Sequence, residues 1–148
     1  MSVEVWEGRY REVVHHPGSC AAVPIVGGDV VLVRQYRDAV GESLLEIPAG
    51  TRDRPGELVA DCAAREVLEE TGHRVLRIER VGWIYNSPGY LDERVDLFVA
   101  DVEPHADPED GIEVVRIPLG DAVEAVRTGR ITDAKSAVAL LLAADRRR

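Results

Sequence analysis

With 148 residues, 45% hydrophobic and 30% charged, the chain is long enough for one domain around one core, and no apolar run approaches the length of about 20 residues that spans a bilayer. A formal charge of -9 argues against nucleic acid and anionic membranes as partners, because both require a basic footprint. The opening Met1-Ser2-Val3-Glu4 is acidic where a leader would be basic, so a cytoplasmic protein is expected; Cys20 and Cys62 are too few for a disulfide framework and read as small buried hydrophobes.

Residues Val3 to Val14 alternate loosely and carry Trp6 and Tyr10, which predicts an amphipathic strand or hairpin ahead of the main fold. His15-His16-Pro17-Gly18 follows as a turn, and adjacent histidines on an extended chain point to opposite sides and chelate poorly. Ala21 to Val26 and Val30 to Tyr36 are β-branched apolar runs joined by Gly27-Gly28-Asp29, a hairpin signal. At the end of the second run, alternation sets Arg34 and Tyr36 opposite Gln35 and Arg37. Arginines at a strand end suit a phosphate clamp, with a solvated edge as the competing reading. Leu44 to Gly50 reads as a short strand with Pro48 confined to its end. Glu46, set among apolar neighbours, either pairs with Arg37 or reads an amino group or ribose hydroxyl of a ligand.

The stretch from Gly50 to Gly72 carries the most information. Good helix formers from Glu57 to Thr71, with Pro55-Gly56 just before them and Gly72 after them, predict a helix of about four turns with a left-handed stop. Glu66, Glu69 and Glu70 then share one face, where their mutual repulsion and their place near the helix C-terminus need a positive partner. Arg65 is one such partner. A divalent cation is the other, since hard oxygen ligands suit Mg2+ bound through a few carboxylates and substrate phosphates.

Beyond that helix, Val75 to Tyr85 and Val95 to Val102 read as strands around the turn at Asn86-Ser87-Pro88-Gly89-Tyr90. His105 to Gly111 is an acidic loop with room for a catalytic carboxylate, and Ile112 to Ile117 is another strand. Gly120 to Thr128 is helix-compatible up to Gly129, and Thr132 to Arg148 opens with a Thr/Asp cap and ends in three arginines. Strands and helices are segregated enough to predict an α+β domain spanning 1–148, a mixed sheet covered by helices.

Glu57, seven residues, and then Arg65-Glu66-Val67-Leu68-Glu69-Glu70-Thr71-Gly72 reproduce in order and spacing the Nudix box, and the stretch resembles that family. It departs in two places: six residues rather than five separate Gly50 from Glu57, and His73 stands where the family has an aliphatic residue. Over nearly all its length the chain is similar to the ADP-ribose pyrophosphatase branch, through His16-Pro17-Gly18, Val33 to Arg37, Glu46 to Gly50, Ser87-Pro88-Gly89, Ile112-Glu113-Val114 and Ile131 to Lys135. Pro88 lies sixteen positions past Gly72, where this branch carries a distinguishing proline.

The resemblance implies an α/β/α sandwich around a mixed sheet, a homodimer whose N-terminal segments reach across to the partner, and hydrolysis of ADP-ribose to AMP and ribose 5-phosphate. It implies that Glu66 and Glu70, with the Ala49 carbonyl, hold Mg2+ or Mn2+, that Glu69 contacts metal directly or through water, and that Gly50, Glu57, Arg65 and Gly72 fix the loop-helix geometry. Trp6 and Tyr10 become candidates for stacking on adenine, and Arg34, Arg37, Glu46 and Pro88 for the rest of the substrate. The general base points to Glu109, with Glu113 as runner-up. Two rival readings are a Nudix pyrophosphatase for another sugar nucleotide or a flavin dinucleotide, and a non-catalytic nucleotide-binding module, which the presence of all three box glutamates disfavours.

Overall fold

A computed structural model describes residues 2–6 and 9–146, with side chains from Glu12 onward; Arg147, Arg148 and the side chains of Trp6 and Tyr10 lie outside the described residues. In chain order the elements are β1 (Ser2–Trp6), β2 (Arg9–Val13), β3 (Ser19–Val26), β4 (Asp29–Arg37), β5 (Glu42–Glu46), β6 (Ala49–Thr51), α1 (Val59–Thr71), β7 (His73–Tyr85), β8 (Arg94–Pro104), β9 (Glu113–Pro118), α2 (Leu119–Arg127) and α3 (Ala134–Arg146). β1 and β2 form the expected antiparallel hairpin, a two-stranded sheet of its own.

The main sheet is organised around β3, an apolar strand of small and β-branched residues that is buried on both faces. Ala21, Val23 and Ile25 pack with Ala122 and Ala125 of α2 and Ala139, Leu140 and Ala143 of α3. Cys20 and Ala22 pack on the other side with Cys62, Ala63 and Val67 of α1. β8, parallel to β3, alternates in the same way, with Val95 and Leu97 toward α2 and α3 and Phe98, Ala100 and Val102 toward α1. The period of two along both strands therefore gives a helix layer on each face, the α/β/α sandwich expected. The strand order β5-β4-β3-β8-β7 is antiparallel except at β3/β8, which makes the sheet mixed.

The sheet forks between β3 and β4. β4 pairs with β3 only at the hairpin, Ile25↔Val30 and Val26↔Asp29, and from Val33 onward it pairs with β5, while β9 lines its opposite edge. At its other end β3 pairs with β6, through Ala21↔Ala49. The chain crosses the fork at Ile47-Pro48, which breaks the single strand expected over Leu44 to Gly50 into β5 and β6. Pro48 has no N–H to give, but its carbonyl accepts from the Ala22 N–H at 3.1 Å, so the crossover is tied to β3.

α1 begins two residues later than expected. Gly56, at φ 80°, turns the chain so that the Glu57 N–H bonds the Arg54 carbonyl at 3.2 Å, which leaves Glu57 in the turn. Its C-terminus behaves as the sequence implied: Gly72 is left-handed at φ 71°, with its N–H on the Leu68 carbonyl. The Gly72 carbonyl in turn accepts from the N–H groups of His105 and Ala106 at 2.9 and 3.0 Å, docking the β8–β9 loop on the helix end. A Cβ at position 72 would meet the Ala106 oxygen at 2.2 Å. Gly129 is also left-handed, at φ 73°, but has open space around it. Gly129→Ala should therefore cost only the left-handed penalty of about 1–2 kcal/mol, and Gly72→Ala clearly more, as read from urea unfolding midpoints; equal losses would show that the β8–β9 loop yields without cost.

Candidate active site

Two carboxylates of α1, Glu66 and Glu69, converge with Glu57 on one guanidinium. Arg65 donates from Nε and Nη2 to the two oxygens of Glu57 at 2.9 and 3.2 Å, and from Nη1 to Glu66 and, at 2.9 Å, to Glu69. Arg54 lies 3.4 Å from the other Glu69 oxygen. These pairs supply the positive charge that the repulsion among Glu66, Glu69 and Glu70 required. They also lock the loop before α1 to the helix, since Glu57 precedes it and Arg65 is two turns along. The hydrogen bond from Arg65, more than the charge alone, holds Glu57 below the ordinary carboxylate value.

Glu66 lies against Gly50, where a Cβ would fall 2.0 to 2.4 Å from its carboxyl carbon and oxygens. A glycine is required there because the carboxylate occupies the place of a side chain. Glu70 is anchored more weakly, by the Ala49 N–H and by Gln35 Nε2, both at 3.3 Å. Burial pushes Glu70 up to about 7 and raises Glu66 as well. Burial thus works against the ionised form of Glu70, a bias that a bound cation would reverse. Among the described residues no three Asp, Glu, His or Cys side chains gather closely enough to form a metal cluster on their own. The donor set that does fit a hard divalent cation is mixed: two anionic oxygens, from Glu66 and Glu70, beside the main chain at Ala49 and Gly50.

A cavity of about 480 Å³ opens at the fork of the sheet, lined among others by Ala49, Gly50, Thr51, Arg37, Glu46 and Lys135. Arg37 binds Glu46 with both ends of its fork, at 2.7 and 2.8 Å, so the pairing foreseen between them is made. Alternation places Gln35 and Arg37 on the α1 face of β4, and Arg34 on the other with Val30 and Leu32. Arg34 pairs there with Glu113, its cross-strand neighbour, at 3.2 Å. Neither is brought to the box carboxylates, which separates Arg34 from Arg37 as a phosphate clamp and sets Glu113 on the wrong face for a base. Glu109 is exposed, and its N–H bonds the Glu69 carbonyl at 2.8 Å, so its loop is fastened to the end of α1.

Pro88 sits in a turn closed by the Tyr90 and Leu91 N–H groups on the Ser87 carbonyl. His15 and His16 act structurally, bonding Asp92 through the His15 ring and the His16 N–H at 2.7 and 2.8 Å. Cys20 and Cys62 are buried side by side under α1, and burial raises both thiols.

Residues 15–140 match the NUDIX domain family. The chain belongs to the Nudix hydrolase family. It is 34% identical to an ADP-ribose pyrophosphatase of Bacillus subtilis (strain 168), covering 88% of this chain and 74% of that one. It is 35% identical to a GDP-mannose pyrophosphatase of Cronobacter sakazakii (strain ATCC BAA-894), covering 89% and 76%. A crystal structure of an ADP compounds hydrolase superposes with a TM-score of 0.77 at 25% identity, over 93% of this chain and 75% of that one.

In this Nudix enzyme the extra residue between Gly50 and Glu57 is absorbed in the loop before α1, leaving the Glu57–Arg65 lock intact. Three neighbours of the Nudix site went unassigned from sequence. Gln35 and Lys135 stood in stretches that carry the family resemblance but were given no role, and Ser136 was only a polar residue at the start of an apolar helix; Lys135 and Ser136 are buried. Gly50→Ala should force Glu66 out of its position and weaken Mn2+ binding by about 10–100-fold without unfolding the protein. Titration of the folded variant with Mn2+ checks this, and undiminished affinity would remove Glu66 from the ligand set.

Proposed function

We propose that this Nudix enzyme hydrolyses the diphosphate of ADP-ribose to AMP and ribose 5-phosphate, with Mg2+ or Mn2+ held by Glu66, Glu70 and the Ala49 carbonyl. The observation that carries the reading is that Glu66 packs onto Gly50 and Glu70 accepts from the Ala49 N–H, where Ala49 and Gly50 line the cavity at the sheet fork. A divalent cation bound there would neutralise the diphosphate and acidify a coordinated water. The ADP-ribose pyrophosphatase and the ADP compounds hydrolase among the relatives support the nucleotide assignment. Residue roles follow from placement. Arg37 has more N–H donors than its pair with Glu46 consumes and lines the cavity, so it orients a substrate oxygen. Arg65 keeps Glu66 and Glu69 in place. The family resemblance, and not placement, assigns Trp6 and Tyr10 to stacking on the base and the N-terminal segment to reaching a second copy in a homodimer.

In the reaction a water oxygen bonds one phosphorus, the bridging P–O bond breaks, and the other phosphate leaves with the bridging oxygen. Glu109 takes the water proton: it is exposed, it sits on a loop tied by main-chain bonds to the C-terminus of α1, and its side chain can turn toward the carboxylates. Loss of a general base costs about 10²–10⁴-fold, so Glu109→Gln should lower kcat by that factor with KM little changed, whereas Glu113→Gln should leave both near wild type. A crippled Glu113→Gln would reverse the assignment.

The direct test is product analysis with ADP-ribose in isotopically labelled water, with and without Mg2+. AMP and ribose 5-phosphate should form only with the metal, with label in one of them, and Glu66→Gln and Glu70→Gln should abolish their formation while staying folded. The GDP-mannose pyrophosphatase relative, at 35% identity, favours a second reading in which the sugar nucleotide is GDP-mannose. Comparing kcat/KM for the two substrates separates them.

A further inference from the structure

The fork holds an ionic network with Glu46 and Lys135 buried, and of its members the proposed chemistry uses only Arg37. Glu46 and Lys135 are 1% and 8% exposed, and Ser136 is fully buried. Lys135 Nζ donates to Glu46 Oε2 at 2.6 Å and to Asp133 Oδ1 at 2.9 Å, while Arg37 holds both Glu46 oxygens from the other side. Asp133 also caps α3, accepting from the Ser136 N–H at 3.0 Å and from the Ser136 hydroxyl. Ser136 Oγ accepts from the Ile47 N–H at 2.9 Å. One helix start therefore grips two successive residues of the crossover, Glu46 by its side chain and Ile47 by its backbone. The next two are gripped from elsewhere, Pro48 through its carbonyl by Ala22 and Ala49 through its N–H by Glu70.

Burial would raise the Glu46 carboxyl, but Arg37 and Lys135 overcome it and keep the group below its ordinary value, hence ionised. With Asp133 the cluster holds two cations and two anions, so it contributes almost no net charge toward an anionic substrate. Its effect is geometric. Ala49 and Gly50 directly follow the crossover, so any shift of Glu46 or Ile47 is passed to the backbone that faces Glu66 and Glu70.

Resting on the metal-site reading above, we propose that Lys135 is a positioning residue: by neutralising Glu46 from the start of α3, it fixes the Glu46–Pro48 crossover and through it the Ala49–Gly50 main chain at the cation site. It acts through Glu46, without touching substrate.

A double-mutant cycle tests this, read as Mn2+ affinity by electron paramagnetic resonance, which needs no substrate. Lys135→Met should raise the Mn2+ Kd about 10-fold and lower kcat with KM nearly unchanged. Glu46→Gln should weaken binding in the same direction. Once Glu46 is neutral, adding Lys135→Met should change Kd by less than about twofold, as expected when two residues act as one unit. Fully additive losses, or a folded Lys135→Met with wild-type Mn2+ affinity, would overturn the proposal. If Lys135→Met does not fold, Asp133→Asn carries the test: it keeps a good helix cap while removing the charge that orients Lys135, and a several-fold rise in Kd is expected, an unchanged Kd counting against the proposal. Failure of the wild-type protein to hydrolyse ADP-ribose would count against the functional reading alone, because the cycle is read on the metal.

Discussion

Placing Glu66, Glu69 and Glu70 within a turn and a half of one helix is an electrostatic burden that α1 bears only because Arg65 faces two of them and Glu57 together. The pairing fixes more than charge. Since Glu57 lies before the helix and Arg65 within it, the same guanidinium that offsets the acidic face also sets the path of the loop entering it. The third carboxylate, Glu70, does not reach Arg65, and burial pushes it up to about 7. The helix face is thus offset by Arg65 on the side of Glu66 and Glu69, while Glu70 is held by neutral donors, the Ala49 N–H and Gln35.

The second constraint is steric. Glu66 can lie against the β6 backbone only because position 50 has no side chain. β6 exists as a separate strand because the main sheet forks, β4 leaving β3 after two paired residues and the chain returning to β3 across the gap. The fork supplies the cavity and the main-chain wall together, so the site is a property of the sheet topology as much as of the helix. Holding such a gap open requires the crossover to be pinned from below, and the cluster of Arg37, Glu46, Lys135 and Asp133 does so. Breaking one partner of a buried ionic cluster costs far more than replacing the whole by apolar residues, so such a cluster serves geometry better than stability.

Much of this was legible in the chain. Apolar β-branched runs marked β3 and β4, the run from Val95 to Val102 marked β8, and the last glycine of the box marked the helix end with its left-handed conformation. The three-glutamate face and its need for a cation, with Arg65 as the candidate, follow from helical spacing and Coulomb repulsion. Alternation also separated Arg34 from Arg37 correctly. It could not say which of them looks toward α1, because a strand's two faces are equivalent until a helix packs on one. That choice placed Arg37 in the cavity and sent Arg34 to Glu113 on the far side.

The sequence by itself determined the local elements, because φ/ψ preference, spacing and repulsion act between residues close in the chain. What only the tertiary structure decided are the relations between residues far apart. The strand read through Leu44 to Gly50 was broken where β4 and β3 compete for it, and Glu46 met Lys135 across eighty-nine positions. Gly50 acquired its meaning from Glu66, a helix away. No local preference records these contacts, since each arises from which sheet edge, which face and which helix end the packed chain brings together.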